Sequence, residues 1–86
     1  LEHLRQEESP SVLLVSSADK LHNARTILAD YRMVGESLWD RFSGGKEGVL
    51  WYYRSLADIF KSKGVKPAIA DELERLVNEI EKLARN

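Results

Sequence analysis

Residues 9–35, SPSVLLVSSADKLHNARTILADYRMVG, decide the fold of this chain. They open with Ser9-Pro10, which pairs a favoured helix N-cap with a proline at the first helical position, where the missing N–H is not needed. They close with Gly35, a natural helix stop. Between these residues the apolar side chains recur at helical spacing, at Leu14, Ala18, Leu21, Ala24 and Leu28. The pattern predicts one long helix from about Pro10 to about Val34.

The remaining sequence predicts further helices and no strands, because no alternation of apolar and polar residues persists. Residues 36–42 predict a short amphipathic turn or helix. Residues 46–63 carry one apolar face, made of Val49, Leu50, Tyr53, Leu56, Ala57 and Phe60. Gly64 suits the left-handed residue after a helix end, and Pro67 opens a last helix with the apolar residues Ile69, Leu73, Leu76, Val77, Ile80, Leu83 and Ala84. We predict an all-α helical bundle, and 86 residues suffice for one domain at most.

The composition excludes several classes of protein. Thirteen Lys and Arg against fourteen Asp and Glu give a formal net charge of −1, whereas a nucleic-acid-binding module normally concentrates a basic excess on one face. The longest apolar runs, Val12 to Val15 and Val49 to Tyr53, are far shorter than the ~20 residues of a membrane-spanning helix. There is no cysteine, so disulfides and thiolate metal sites are excluded. We expect a cytoplasmic protein with no nucleic-acid partner and no membrane partner.

The helix over residues 10–31 is unusual because both of its sides carry apolar residues. On a wheel of roughly 100° per residue, one broad apolar side is formed by Leu14, Leu21, Ala24 and Leu28. Val12 and Val15 lie nearly opposite this side. A helix whose first turns are apolar almost all round is typical of a buried position, so we expect these turns to be buried.

A line of polar residues runs along the same helix, on the side where Val12 lies. Four polar residues fall within about 60° of one another on the wheel, namely Asp19, Asn23, Thr26 and Asp30. A carboxylate midway along a largely buried helix is unfavourable unless a cation, a metal ion or hydrogen bonds compensate its charge. Asp19 is therefore a candidate ligand for a divalent metal ion. The alternative is a solvated surface carboxylate that Lys20 or Asn23 satisfies locally.

Aromatic residues concentrate between residues 39 and 60, at Trp39, Phe42, Trp51, Tyr52, Tyr53 and Phe60. At helical spacing such residues usually form core, and we predict core for most of them; a base-binding pocket is the alternative. Trp51 and Tyr52 cannot face the same core as Tyr53, because the three are consecutive on one helix. Some aromatic surface is therefore expected to remain outside the core.

Residues 17–26, SADKLHNART, resemble the last signature motif of the HD-domain phosphohydrolases. The resemblance is closest to the branch that contains the guanosine tetraphosphate (alarmone) 3′-pyrophosphohydrolases. Residues 35–42, GESLWDRF, and residues 45–48, GKEG, with LWYYR at 50–54, are similar to the small stand-alone bacterial members of that branch. The resemblance covers nearly the whole chain, and it implies that the bundle is part of an HD-type helical domain.

The resemblance also implies roles for single residues. Asp19 matches the family's final metal ligand, and Asn23 and Thr26 match positions that hold the nucleotide part of the substrate. Lys20 and Arg25 match basic positions of the motif, where they either contact phosphate or brace the fold. In the complete enzyme a divalent ion, Mn²⁺ by preference, activates water and polarises a phosphate oxygen. The substrate is then a nucleotide phosphate or pyrophosphate ester, with the alarmone guanosine 3′,5′-bis-diphosphate as one candidate.

The chain departs from the family in the remaining metal ligands. The family's site requires a His, then a His-Asp dipeptide, then the final Asp, whereas this chain has no His-Asp dipeptide and only His3 and His22. The acidic pair that activates the attacking water in the family also has no match here. A metal ion held by one carboxylate is bound weakly. We therefore assign no catalytic residue within this chain. We expect the metal ion to be absent or weakly bound, and we expect the chain alone to be inactive.

The start of the chain has the pattern of a helix already under way, in Leu1 to Arg5. We therefore expect residues 1–86 to be one partial domain, the C-terminal half of an HD domain, whose partner is the N-terminal half that carries the other ligands. The alternative function is a non-catalytic helical module for interaction or self-association, in which two copies form a homo-oligomer.

Overall fold

The computed structural model describes residues 1–85 and contains four α-helices and one 3₁₀ helix. In chain order these are α1 (Glu2–Gln6), α2 (Pro10–Val34), the 3₁₀ helix (Gly35–Arg41), α3 (Gly45–Ser62) and α4 (Pro67–Ala84). No strand occurs in the part of the chain that is described, so the all-α prediction is confirmed. None of these helices is both long enough and apolar enough to span a membrane.

The ends of α2 follow from the residues that the sequence places there. The Ser9 hydroxyl accepts a hydrogen bond from the Val12 N–H at 3.4 Å, and Pro10 occupies the first turn. At the other end Gly35 has φ of 65°, a left-handed conformation that a residue without Cβ adopts readily. Gly64 ends α3 in the same way, with φ of 71°. The predicted limits of α2 are therefore confirmed.

Helix α4 lies at the centre of the molecule. It packs against both α2 and α3, while α2 and α3 contact each other much less. The buried side chains of the three helices form one continuous core, which includes Leu21, Ala24, Leu28, Leu50, Leu56, Phe60, Leu73, Val77 and Ile80. Because α2 and α3 meet only along a narrow contact, polar residues at that contact are accessible from outside.

The apolar side of α2 differs from the prediction at its beginning. Leu14 is 41% exposed, and its neighbour Leu13 is buried in its place. The prediction also fails at Ala18, which is exposed, because the buried face of α2 passes through Leu13 and Ser17 before it reaches Leu21. The expectation that the first turns of α2 are buried all round is also wrong, since Val12 is 48% and Val15 is 69% exposed. Within residues 1–85 no element covers these two valines.

A polar clasp joins the end of α2 to the other helices. The Glu36 carboxylate accepts hydrogen bonds from the Tyr31 hydroxyl at 2.7 Å and from the Trp39 indole N–H at 3.1 Å, and it pairs with the Lys46 ammonium at 2.8 Å. The Lys46 contact, followed by those of Tyr31 and Trp39, lowers the pKa of Glu36 to about 2. The Tyr31 hydroxyl also lies 3.3 Å from the Leu83 carbonyl oxygen of α4, and this oxygen shares the single hydroxyl proton with the nearer Glu36 oxygen. The segment between α2 and α3 is thereby fixed against α4.

Candidate functional site

Asp19 lies on the outer side of α2, where its side chain is 63% exposed. Its carboxylate shares an open stretch of the α2 surface with Val12 and Val15. The expectation that Asp19 lies on a buried part of the helix is therefore wrong for the described residues. The physical reason is the one that exposes the valines: α4 is the main packing partner of α2, and the buried face of α2 carries Leu13, Leu21 and Leu28 instead.

The immediate neighbours of Asp19 come from α2 and α3. On α2, the Lys20 ammonium lies 3.7 Å from the Asp19 carboxylate, a loose ion pair. On α3, the half-buried Tyr53 has its pKa raised above its usual value, mainly by burial and next by Tyr52, and the Asp19 charge adds to this rise. The Asn23 side chain opposes the rise in the pKa of Tyr53. Asp19 and Asn23 of α2 thus both act on the pKa of Tyr53 of α3.

Lys20 reaches the same place from the next position on α2. Its ammonium lies 6.0 Å from the centre of the Tyr52 ring, within the range of a cation–π contact. Tyr52 and Tyr53 meet edge to face, with ring centres 5.4 Å apart. We call the five residues that converge here the Asp19 cluster; they are Asp19, Lys20, Asn23, Tyr52 and Tyr53. The cluster combines a carboxylate, an ammonium group, an amide and two phenols at an accessible helix junction.

The other predicted site residues lie outside the Asp19 cluster. Thr26 is exposed one turn further along α2, and its hydroxyl donates to the His22 carbonyl at 3.2 Å. Arg25 lies on a different side of the helix, close enough to Glu72 of α4 for its charge to help lower the pKa of that carboxyl, after the larger effect of Arg75. Arg25 thus lies on the side of α2 that is nearer to α4, whereas Lys20 belongs to the cluster.

Tyr52 and Tyr53 are the cluster members that the sequence does not single out. As part of an aromatic stretch at helical spacing they are typical of core, and a single sequence does not say which helix faces Asp19. The same stretch forms a second feature, an apolar groove of about 410 Å³ at the start of α3. It is lined by Phe42, Ser43, Gly44, Gly48, Val49, Trp51, Tyr52 and Tyr53, and we call it the aromatic groove. Trp51 is 61% exposed, which confirms that some aromatic surface remains outside the core.

The described residues do not by themselves fit a bound metal ion. Over residues 1–85 there is no group of three or more His, Asp or Glu side chains arranged to hold one. Asp19 supplies one carboxylate, while divalent ions in proteins take four to eight ligands. His22, the nearest histidine in sequence, is exposed on the neighbouring side of α2. Any metal site that uses Asp19 needs ligands from outside this set of residues.

Comparison with known proteins gives no family assignment. No protein-family model matches the chain, and no curated protein matches it. The resemblance to the HD phosphohydrolases therefore rests on the residues of the 17–26 motif and of the segments at 35–54 alone.

Proposed function

We propose that this chain is the C-terminal half of a metal-dependent HD-type phosphohydrolase, in which Asp19 is the final metal ligand. The support is the motif at residues 17–26 together with the accessibility of its polar residues. Among residues 1–85, the charged partner of the Asp19 carboxylate is Lys20, at a loose 3.7 Å, so the exposed carboxylate can accept a further cation. Lys20 and Asn23, which the motif associates with the substrate, lie beside it.

The position of Asp19 beside Val12 and Val15 carries this proposal. Two exposed valines next to a motif aspartate favour a face that is covered by further protein in the complete molecule. When such a face is covered, the carboxylate loses its water, and a buried carboxylate requires a cation or several hydrogen bonds. A metal ion held jointly by Asp19 and by histidines of the covering segment meets this requirement.

The substrate class in this proposal is a nucleotide phosphate or pyrophosphate ester, including guanosine 3′,5′-bis-diphosphate. Lys20 offers an ammonium group to a phosphate oxygen, and Asn23 offers an amide to a polar edge of the nucleotide. Thr26 is exposed on the same side of α2 as Asp19 and extends the polar surface by one turn. Arg25 braces the fold in this proposal, since its charge acts on Glu72 of α4.

The test uses the longest natural protein that contains these residues, because residues 1–86 alone lack the family's other ligands. Asp19→Ala is expected to remove Mn²⁺-dependent hydrolysis of guanosine 3′,5′-bis-diphosphate and of nucleoside monophosphates, with unchanged helix content by circular dichroism. Asp30→Ala is the matched control, since Asp30 lies on the same line of α2 but pairs with Arg41 at 3.3 Å. It is expected to retain turnover.

Two results would overturn the proposal. One is normal turnover in the Asp19→Ala variant of the longer protein. The other is robust Mn²⁺-dependent hydrolysis by residues 1–86 alone that Asp19→Ala leaves intact, because the reaction would then use a site that does not include Asp19.

A helical interaction module is the second candidate function, and the exposed apolar residues of α2 favour it. Besides Val12 and Val15, Met33 is 82% exposed near the other end of the helix. Such residues serve equally well to bind a second copy or another protein. Sedimentation of the isolated chain distinguishes the two: a monomer at high concentration removes self-association, and Val15→Asp is expected to disrupt any dimer that forms through α2.

A further inference from the structure

The exposed side of α2 has the residue pattern of a helix that pairs with another helix. Seven exposed residues recur along it at alternating steps of three and four, and we call them the outer face of α2; they are Val12, Val15, Asp19, His22, Thr26, Ala29 and Met33. We propose that a second copy of the chain pairs with this face in the antiparallel direction, with Asp19 of each copy against His22 of the other. This proposal rests on self-association, the second candidate function, and it is independent of the phosphohydrolase proposal.

The spacing of the outer face is that of a two-helix contact. Alternating steps of three and four make a seven-residue repeat, which keeps one line of side chains turned toward a partner helix over several turns. On the helix wheel this line is centred roughly 180° from the buried residues Leu13, Leu21 and Leu28. The side of α2 that points away from the core therefore has the geometry to receive a second helix.

An antiparallel second copy brings the residues of the outer face together in pairs. When Asp19 lies opposite His22 of the other copy, the steps along the two helices match. Val15 then lies opposite Thr26, and Val12 lies opposite Ala29. Each of these pairs occurs twice, because a two-fold axis makes both copies use the same surface. The charged pairs lie at the centre of the contact, and the valines lie toward its ends.

The carboxylate of Asp19 decides the direction of pairing. A parallel pair in register would set the two Asp19 carboxylates against each other, and like charges repel strongly where water is displaced. In the antiparallel pair the carboxylate accepts a hydrogen bond from the His22 imidazole, which has an N–H donor in both its neutral and its charged form. The carboxylate is available for this contact, since its ion pair with Lys20 is loose, at 3.7 Å.

The same carboxylate decides between the possible registers. Sliding one copy by seven residues sets Val15 opposite Met33, which brings two exposed apolar side chains together. That slide also sets Asp19 opposite Ala29, whose side chain offers it no hydrogen bond. A covered carboxylate without a donor is unfavourable. The outer face is thus complementary to itself in one register, and this self-complementarity favours a second copy over an unrelated partner.

The first experiment exchanges the charged groups and follows association of residues 1–86 by sedimentation. The protein is taken to high concentration, because a contact of one helix from each partner falls among the small interfaces of weak complexes. We expect a dimer. Asp19→Lys and His22→Glu, each alone, are expected to weaken association by roughly tenfold or more. The double variant Asp19→Lys/His22→Glu is expected to recover most of the lost affinity, since opposite charges again lie across the contact.

Two controls accompany the charge exchange. Circular dichroism is expected to show unchanged helix content, because Asp19 and His22 are both exposed in the folded chain. Met33→Gln is the matched control on the same face, since Met33 lies beyond the last pair of the proposed register. It is expected to associate like the original chain, whereas weaker association would indicate the register in which Met33 lies opposite Val15.

The second experiment tests the direction by cross-linking, which is straightforward because the chain has no cysteine. A mixture of Val12→Cys and Ala29→Cys chains is expected to be joined by a short bis-maleimide. Val12→Cys alone is not expected to cross-link, because its two copies in the antiparallel pair lie roughly 26 Å apart along the helix axis. A parallel pair would give the opposite result.

The outcomes distinguish the register from self-association itself. A monomer at high concentration would overturn both and leave the outer face to a different partner. A dimer in which Val12→Cys cross-links with itself, or in which the double variant recovers no affinity, would overturn the antiparallel register alone. Neither result bears on hydrolysis by a longer protein, which Asp19→Ala tests, so the two proposals fail separately.

Discussion

Helices α2 and α4 pack against each other, and they differ in what lies on their opposite faces. Helix α4 buries one face, formed by Ala70, Leu73, Leu76, Val77, Ile80 and Ala84, and its remaining positions are mainly charged or polar. Helix α2 buries a comparable face but also exposes Val12, Val15 and Met33. The pattern of α4 is explained completely by the fold of this chain. The exposed apolar residues of α2 are not explained by packing among residues 1–85.

The charged face of α4 supports this distinction. Arg54 of α3 donates to both carboxylate oxygens of Glu81, at 3.1 and 2.7 Å, and Lys61 pairs with Glu74 at 3.1 Å. The outer charges of α4 are thus used to hold α3. On α2, by contrast, the ion pair of Asp19 within the described part of the chain is the loose one with its neighbour Lys20.

Among the substitutions that compare α4 with α2, the largest loss of stability is expected at the centre of α4. Leu73 is fully buried between α2 and α3, so Leu73→Ala is expected to lower the free energy of unfolding by about 3 kcal/mol, through lost burial and the cavity left behind. Urea unfolding followed by circular dichroism measures this loss. The volume-conserving Leu73→Met is the control, with an expected loss below about 1.5 kcal/mol. A Leu73→Ala loss no larger than that of the control would contradict the central position of α4.

An intermediate effect is expected from the clasp that fastens the end of α2 to α4. The folded-state pKa of Glu36 is about 2, against an ordinary value of 4.5. Because the folded pKa is lowered, the stabilisation is complete above pH 4.5 and is lost as the pH falls toward about 2. The urea midpoint is therefore expected to fall over this interval, by less in Glu36→Gln than in the original chain.

Lys46→Met sharpens the same measurement, since Lys46 is the largest cause of the lowered pKa. Its removal is expected to move the acid-induced loss of stability to higher pH, while Tyr31 and Trp39 still donate to Glu36. An acid transition with the same midpoint in Lys46→Met would show that this ion pair does not set the pKa. Since the Glu36 side chain is largely exposed, we expect high salt to diminish the difference.

The sequence predicts the fold well wherever a local signal marks it. Ser9, Pro10 and Gly35 mark the limits of α2 through capping chemistry, and these limits are confirmed. Periodicity also predicts the buried faces of α3 and α4, because both helices have one apolar side. It misplaces the apolar side of α2 at Leu14, because apolar residues all round this helix leave its orientation undefined.

The candidate site is less predictable, for a geometric reason. The wheel gives the angles between Asp19, Asn23 and Thr26, since these residues share one helix. The wheel does not say which residues of another helix lie opposite these three. The relation of Asp19 and Asn23 to Tyr53 of α3 is therefore seen only in the structure. The effect of Arg25 on the pKa of Glu72 likewise joins residues that are distant in sequence, and the wheel does not predict it.

The smallest change in the free energy of unfolding is expected on the outer face of α2. Val15 is 69% exposed, so Val15→Ala removes little burial, and Ala favours the helix slightly over Val. The free energy of unfolding of residues 1–86 is expected to stay within about 0.5 kcal/mol of the original value. In a longer protein whose added segment covers this face, the same substitution leaves a cavity and is expected to cost about 1 kcal/mol. The difference between the two losses of free energy then measures how far the outer face of α2, at Val15, is buried in the longer protein. Equal, negligible losses in both proteins would mean that the added segment does not contact Val15, and the argument that assigns a buried metal to Asp19 would lose its physical basis.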